Sequence, residues 1–217
     1  MPANTFLRRS SGATANQEFS ANSNYRNEQL TAQGLPPYAQ LSIENKGWQV
    51  MDTSATAAVV VRPSTVAGLT LYNNNASATN ICFVIDTIKV FNLVTTAALS
   101  DWSVWACVHP TGMTAPTADI TAIKSMSGLA TAYSGGAIVD TGATVVDNGW
   151  FPISNNANVT HGVGVTPGHA LSIPVDGRFI IPPTAAISVN VVASIVGLTF
   201  THGFSWWEME LVTGTPG

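Results

Sequence analysis

Four histidines are the first candidates for chemistry in this chain: His109, His161, His169 and His202. A zinc site needs two ligands about two to five residues apart and a second such pair. His161 and His169 are eight residues apart, with glycine and proline between them. This spacing favours histidines in turns, and we expect neither a metal nor a cofactor.

Carboxylates, serines and glycines could also do chemistry. Glu208 and Glu210 share one face at the end of the last predicted strand, and paired carboxylates can act as acid and base in a cleft. Solvent-facing or interface glutamates are far more common at such a place. No Gly-x-Ser-x-Gly elbow occurs, and Gly162, Gly164 and Gly168 are not followed by the Lys-Ser/Thr and helix of a phosphate loop. We therefore predict a protein that is not an enzyme.

Trp206 and Trp207 are adjacent, so in a strand they must point to opposite faces. One ring can fill a core, and the other must reach a second buried surface, a partner or a ligand. Exposed tryptophan is a common sugar platform, but it is also a frequent anchor of protein interfaces. We favour the interface and expect Trp206, Trp207 and Glu208 to form a subunit contact.

The composition points to association. Charged residues are 9% of the 217 residues, against roughly 25% in an ordinary domain. Charge keeps monomers apart, so a surface short of charge favours self-association.

The net charge of -4 and the scattered basic residues argue against nucleic-acid binding, and no run reaches the roughly 18 apolar residues of a membrane span. Cys82 and Cys107 lie in apolar runs and are expected to be buried free thiols.

The chain divides into an arm and a body. Residues 1–46 are rich in Asn, Gln, Ser and Ala and cannot form a core of their own. Residues 35–38, Leu-Pro-Pro-Tyr, stiffen the end of this segment. We predict an extended, flexible arm over 1–46 and a β-rich body over 47–217. No apolar stretch follows the arginine pair near the N-terminus, so we expect no leader peptide there.

The body alternates apolar and polar residues in short runs. The longest predicted strand is 80–93, where Asp86 interrupts the alternation and predicts a bulge or bend. Residues 101–109 are apolar on both faces, as in a central strand, and one short helix is expected over 117–127. About ten short strands without helices between them predict an all-β, jelly-roll-like β-sandwich of about 8–10 strands. The other strands are predicted over 47–51, 57–61, 69–72, 137–140, 144–151, 159–165, 170–175, 178–181, 186–193 and 199–212.

Three stretches carry a resemblance. Residues 69–90 have the form Leu-x-Leu-x-Asn, a polar turn, and a strand with Ile-x-x-Ile-x-Val. Residues 179–192 read Phe-Ile-Ile-Pro-Pro-Thr-Ala-Ala-Ile-Ser-Val-Asn-Val-Val, and 204–210 read Phe-Ser-Trp-Trp-Glu-Met-Glu. This order resembles jelly-roll virion proteins of tailed double-stranded DNA bacteriophages, especially capsid cement (decoration) proteins and head fibres. It covers roughly residues 65–212.

The resemblance implies a non-enzymatic structural protein that is made in the host cytoplasm and binds the capsid exterior. Such a protein would form a homotrimer, contact the major capsid protein and stabilise the shell, often through an extended arm. The arm residues expected to contact the capsid or a neighbour are Arg8, Arg9, Phe19, Tyr25, Arg26 and Tyr38.

Two alternatives remain. A receptor-binding or tail-associated β-sandwich would hold host glycans on exposed aromatic residues in one groove. A jelly-roll major capsid protein would assemble shells by itself and usually carries a strongly basic arm. Glu18 and Glu28 among the arginines of the arm weaken that second alternative.

Overall fold

The structure, a computed structural model, describes six stretches of the chain. Two compact units separate at residue 40, so the second unit, 41–217, begins six residues before the predicted body. In the first unit, β1 (Phe6–Arg8) pairs antiparallel with β2 (Glu18–Ser20), and their side chains are not described. The described stretches are 6–8, 18–20, 39–95, 99–129, 132–160 and 170–211.

The second unit is almost entirely β-structure. A short helix, α1 (Ala39–Ile43), precedes its strands, and the 3-10 turn Ser77–Thr79 lies among them. None of the helices in the described stretches is long and apolar enough to cross a membrane. The strands are β3 (Gly47–Met51), β4 (Thr56–Ala57), β5 (Leu69–Asn73), β6 (Ile81–Thr95), β7 (Leu99–His109), β8 (Lys124–Ser125), β9 (Ala137–Thr141), β10 (Phe151–Thr160), β11 (Ala170–Ile181), β12 (Ala186–Ala193) and β13 (Leu198–Glu210).

The strands form two antiparallel sheets. Sheet I has the order β10-β7-β12-β5-β9, and sheet II has the order β11-β6-β13-β3-β8, with β4 also beside β13. The chain folds back on itself like a long hairpin: β3 pairs with β13, β5 with β12, β6 with β11, and β7 with β10. Rolling such a hairpin places its pairs in two facing sheets, which is the jelly-roll arrangement. The predicted all-β sandwich is confirmed.

The core lies between the inner faces of the two sheets. Leu69 and Leu71 of β5 face it from sheet I, and both are fully buried. Phe200 of β13 faces it from sheet II and meets Trp102 of β7 with ring centroids 4.9 Å apart. Every second residue of each strand therefore faces the apolar layer, as the period of two requires.

The predicted irregularity at Asp86 is a β-bulge. Trp206 pairs with Ile85, and the preceding Ser205 pairs with Thr87, so Asp86 is an extra residue in β6. The extra residue shifts the alternation by one, which explains why both Ile85 and Ile88 are buried.

The helix predicted over 117–127 is wrong. The N–H of Ile120 donates to the carbonyl of Val139 (3.2 Å), and that of Met126 donates to the carbonyl of Gly47 (3.0 Å). Ile120 and Ile123 enter the core from an irregular segment. The helical spacing was coincidental, because Ile120 and Met126 donate their backbone hydrogen bonds to strands β9 and β3.

Other predicted strands differ in detail. The runs 57–61 and 144–151 are mostly irregular, and 161–165 lies outside the described residues. The segment 143–150 does not join sheet I but crosses its outer face, where Val145 and Trp150 are buried. Strand β10 was largely missed because it is rich in asparagine and contains Pro152, which an edge strand tolerates.

Two predicted strands, 170–175 and 178–181, are parts of the single strand β11. Asp176 and Gly177, both with left-handed backbone (φ 51° and 74°), form a tight turn within it. This turn lies opposite the bulge of β6, since Pro174 pairs with Thr87 and Phe179 with Ile85. The remaining predicted strands match β3, β5, β6, β7, β9, β12 and β13.

One buried amide joins the two sheets. Asn73, fully buried at the end of β5, donates from Nδ2 to the carbonyl oxygens of Ile81 (2.8 Å) and Ile181 (2.9 Å). Those carbonyls belong to β6 and β11 of sheet II, whereas β5 belongs to sheet I. The Oδ1 atom accepts a hydrogen bond from the N–H of Asn75 at 3.1 Å.

Replacing Asn73 by alanine should therefore lower the free energy of unfolding by about 3 kcal/mol, because a buried and a partly buried carbonyl lose their donor. Urea denaturation of the variant and the wild type measures the difference. Asn74→Ala is the matched control, since Asn74 is exposed and should change the stability by less than about 0.5 kcal/mol. Equal effects of the two changes would contradict the role given to Asn73.

Candidate functional site

Trp206 is a core residue. Its side chain lies on the inner face of β13 and has no exposed surface. Its ring packs against Phe83 and Tyr133, with centroids 5.8 Å and 6.3 Å away. A side chain without exposed surface has nothing to offer a partner while the sandwich is closed.

Trp207 points to the opposite face of sheet II, as the alternation of the strand requires. Only 6% of this residue is exposed. A Cβ on Gly47 would collide with the Trp207 ring and would lie 2.7 Å from Cε of Met126. The second buried surface that this ring needs is therefore supplied by the chain itself.

Glu208 closes an aromatic–acid cluster formed by Trp48, Tyr133, Trp206 and Glu208. The Tyr133 hydroxyl donates a short hydrogen bond to Glu208 Oε1, and the Trp206 indole N–H donates to the same oxygen at 3.4 Å. The N–H of Ala137 donates to the Tyr133 oxygen at 2.7 Å, and Trp48 meets the Tyr133 ring edge-on at 4.8 Å.

The electrostatics of the cluster follow from its burial. Burial raises the pKa of Glu208 above its ordinary value, although the hydrogen bonds from Tyr133 and Trp206 oppose the shift. Burial and the neighbouring Glu208 charge raise the pKa of Tyr133, so the phenol stays protonated and donates.

The cluster is a structural tie. It holds the irregular segment before β9 to the end of β13, because Tyr133 lies in that segment and bonds to Glu208 of β13. Glu210, by contrast, is exposed, so the two glutamates do not share one environment. The subunit contact predicted for Trp206, Trp207 and Glu208 stays a prediction, and the chain buries both indole rings without it.

The arm residues cannot be located in the same way. Arg8 and Phe19 lie in β1 and β2, where side chains are not described. The predicted contact residues Arg9, Tyr25, Arg26 and Tyr38 lie outside the described residues, as do His161 and His169.

A chain of polar side chains, three of them buried, crosses the outer face of sheet I. Nε2 of His109 lies 2.9 Å from Ser188 Oγ, which lies 2.9 Å from Thr70 Oγ1. On the other side of the ring, Nδ1 lies 3.1 Å from Asn148 Nδ2. Burial lowers the pKa of His109, which favours the neutral ring. Ser188 has no exposed surface, so a substrate cannot reach the hydroxyl of this serine.

Sequence reasoning missed this chain of polar residues. Its members are separated by up to 118 positions, and only the fold brings them together. The available signal was weak: Thr70 and Ser188 are polar residues within strands that are otherwise mostly apolar.

A second buried histidine lies within the core. Nδ1 of His202 is 3.2 Å from Asp52 Oδ2, and its backbone N–H donates to the same oxygen at 3.0 Å. Both side chains are almost completely buried. The pair joins β13 to the chain that follows β3. Asp52 is not among the hydrogen-bond partners of His109, which are Ser188 and Asn148.

The prediction for the cysteines is confirmed. Cys82 of β6 and Cys107 of β7 are both free and buried, and they belong to different sheets. Burial raises the pKa of each thiol, which makes both poor nucleophiles.

The residues that the structure describes include no group of three His, Cys, Asp or Glu side chains that could hold a metal ion. Comparisons with protein-family models, curated proteins and solved structures found no match. The function must therefore be argued from the fold and the surface of this chain alone.

The raised pKa of Glu208 predicts a pH dependence of stability. The folded state favours the protonated carboxyl, so this contribution is fully present below the ordinary pKa of 4.5 and is lost as the pH rises through the folded value. Glu208→Gln keeps an uncharged acceptor and should flatten the stability profile between acidic and neutral pH. Thermal melting across this range measures the effect. Glu210→Gln is the control, and an equally flattened profile for that variant would contradict the assignment.

Truncating either tryptophan should destabilise the fold. Trp206→Ala should cost about 3–5 kcal/mol, the usual scale for a large aromatic in a core. Trp207→Ala should also lower the melting temperature, because its ring is buried against Gly47 and Met126. Guanidinium unfolding of each single variant reports the cost. A Trp207→Ala protein as stable as the wild type would mean that the ring needs a partner chain to be buried.

Proposed function

We propose that this protein is a non-enzymatic structural virion protein that binds the outside of a phage capsid as a homotrimer and stabilises the shell. The jelly-roll body agrees with the fold that the resemblance implies. The observation that carries the proposal is an exposed apolar patch on this charge-poor body. We call it the valine patch: Val61, Val66 and Val146, which are 68%, 55% and 68% exposed.

Backbone pairing places the patch on the outside of the molecule. Val66 forms an antiparallel bridge with Thr144 in the segment that crosses sheet I. Ala67 and Val145, the neighbours of these two residues, are buried against sheet I. Val66 and Val146 therefore point away from the sheet, on the solvent side of the two paired segments.

The only charges described beside these valines neutralise each other. Arg62 donates to both carboxylate oxygens of Asp147, at 2.6 Å and 3.0 Å. This bidentate bond holds the pKa of Asp147 at about 2, so the pair stays closed at neutral pH. The patch thus has an apolar surface and no net charge.

An exposed apolar surface of this kind is typical of a protein-binding site. A partner must offer an apolar, uncharged surface in return. The proposed partners are the other copies in the homotrimer and the major capsid protein. The acidic body, with a net charge of -4 for the chain, would meet another copy with least repulsion at such a neutral surface.

The glycan-binding alternative receives less support. It predicts exposed aromatic residues in one groove. Phe151 is 37% exposed, but the tryptophans Trp48, Trp102, Trp150, Trp206 and Trp207 are buried. The sixth, Trp105, is half-buried and donates its indole N–H to Ser103 at 2.8 Å. The basic arm on which the major-capsid alternative depends lies mostly outside the described residues.

Charge placed in the valine patch should prevent association. The double variant Val66→Asp and Val146→Asp should remain folded, because both side chains are exposed, but should lose trimers that the wild type forms at micromolar concentration. Light scattering measures the mass, and cryo-EM of purified virions locates the chain. Val196→Asp is the control, since Val196 is 74% exposed in the β12–β13 turn.

A monomeric wild type would contradict self-association in solution. A position of the chain in the tail rather than on the capsid would overturn the proposed function itself.

A further inference from the structure

A cleft opens on the outer side of sheet I, and neither the sandwich core nor the capsid role requires it. It lies between residues 110–114, which follow β7, and residues 144–148 of the crossing segment. Its volume is about 410 Å³, within the range of roughly 300–1,000 Å³ that is common for small-molecule sites.

One wall of the cleft is held in place by a strained residue. Thr184 has a left-handed backbone (φ 64°), which is unusual for a β-branched side chain. Its hydroxyl accepts the N–H of Gly112 at 3.0 Å, and its carbonyl accepts the N–H of Met113 at 3.2 Å. The Tyr72 hydroxyl donates to the carbonyl of Met113 at 3.3 Å. Strain of this kind clusters at binding sites, where it fixes a preformed wall.

The floor of the cleft is polar and neutral. His109 lines it with a ring that is held from both sides by Ser188 and Asn148. Burial lowers the pKa of this histidine. The charged groups that face this region, Arg62 and Asp147, are bonded to each other.

The lining of the cleft is amphipathic and carries no formal charge. Threonine hydroxyls and an amide come from Thr111, Thr114, Thr144 and Asn148, and the apolar part includes Met113 and Val145. None of the residues that line it is Asp, Glu, Lys or Arg. A charged ligand would lose its hydration here without gaining a counter-charge.

We propose that this cleft binds a small uncharged molecule with several hydroxyl groups on an apolar frame, of the class of a neutral pyranose. The hydroxyls would bond to the threonines and to Asn148, and the C–H face would pack on Met113 and Val146. No tryptophan platform is needed, because the ligand is enclosed between two walls. Val146 of the valine patch also lines this cleft, but sugar binding does not depend on association, so its absence would leave the proposed capsid role untouched.

The test is a titration of the full chain, followed by NMR, with methyl glycosides of glucose, galactose and mannose and with N-acetylglucosamine. At least one should bind saturably, with a dissociation constant in the range of about 1 mM, and should shift the Met113 methyl and His109 ring signals. Thr144→Phe, which fills the cleft from an exposed position, should weaken binding at least tenfold.

Two variants sharpen the result. The double change Thr114→Val and Thr144→Val removes hydroxyls at constant shape and should also weaken binding. Thr121→Val, at an exposed threonine away from the cleft, should not. Spectra of each free variant that match the wild type away from the cleft verify that the fold is kept.

Three results would overturn the proposal. One is the absence of saturable shifts with every neutral sugar of the set. Another is tighter binding of cyclohexanol or of glucose 6-phosphate than of any neutral sugar, which would mean that the ligand class is wrong. The third is sugar binding that Thr144→Phe leaves unchanged, because the sugar would then occupy another site.

Discussion

Antiparallel pairing between distant parts of the chain is the constraint on which the rest of this structure depends. β3 pairs with β13 although more than 150 residues separate them, and β5 pairs with β12 over 114 to 120 residues. Along the sequence, the pair β7–β10 lies inside β6–β11, which lies inside β5–β12 and then β3–β13. These pairs alternate between the two sheets, so neither sheet is complete before the other. Such non-local pairing makes folding slow relative to a helical protein of equal size. It also makes the last long strand, β13, indispensable, because β13 lies between β6 and β3 in sheet II.

Much of this fold could be predicted from the sequence because each strand carries its own local signal. The alternation in 80–93 and the interruption at Asp86 were sufficient to predict both a strand and its bulge. Prediction was wrong where local pattern and tertiary pairing disagree. The spacing of Ile120 and Ile123 suited a helix, but the N–H groups of Ile120 and Met126 donate to neighbouring strands instead. Asparagines and Pro152 concealed β10, because an edge strand needs little strand propensity of its own.

The candidate sites were less predictable than the strands. Opposite orientations of Trp206 and Trp207 follow from the geometry of any strand, but burial of Trp207 by Gly47 and Met126 depends on a segment that was expected to be helical. The bond from Tyr133 to Glu208 spans 75 positions. Neither residue carries a local signal for the other. Polar residues within apolar strands, such as Thr70 and Ser188, indicate that something must satisfy them, and only the fold identifies the partner.

The neutrality of the valine patch has a consequence for the conditions under which it would bind. Contacts between exposed charges weaken as salt is added, since ions screen them. A surface of valines beside a closed Arg62–Asp147 pair has almost no charge to screen. Association through this patch would therefore change little as the salt concentration rises. Because apolar burial is driven by entropy near room temperature, the same association would weaken on cooling.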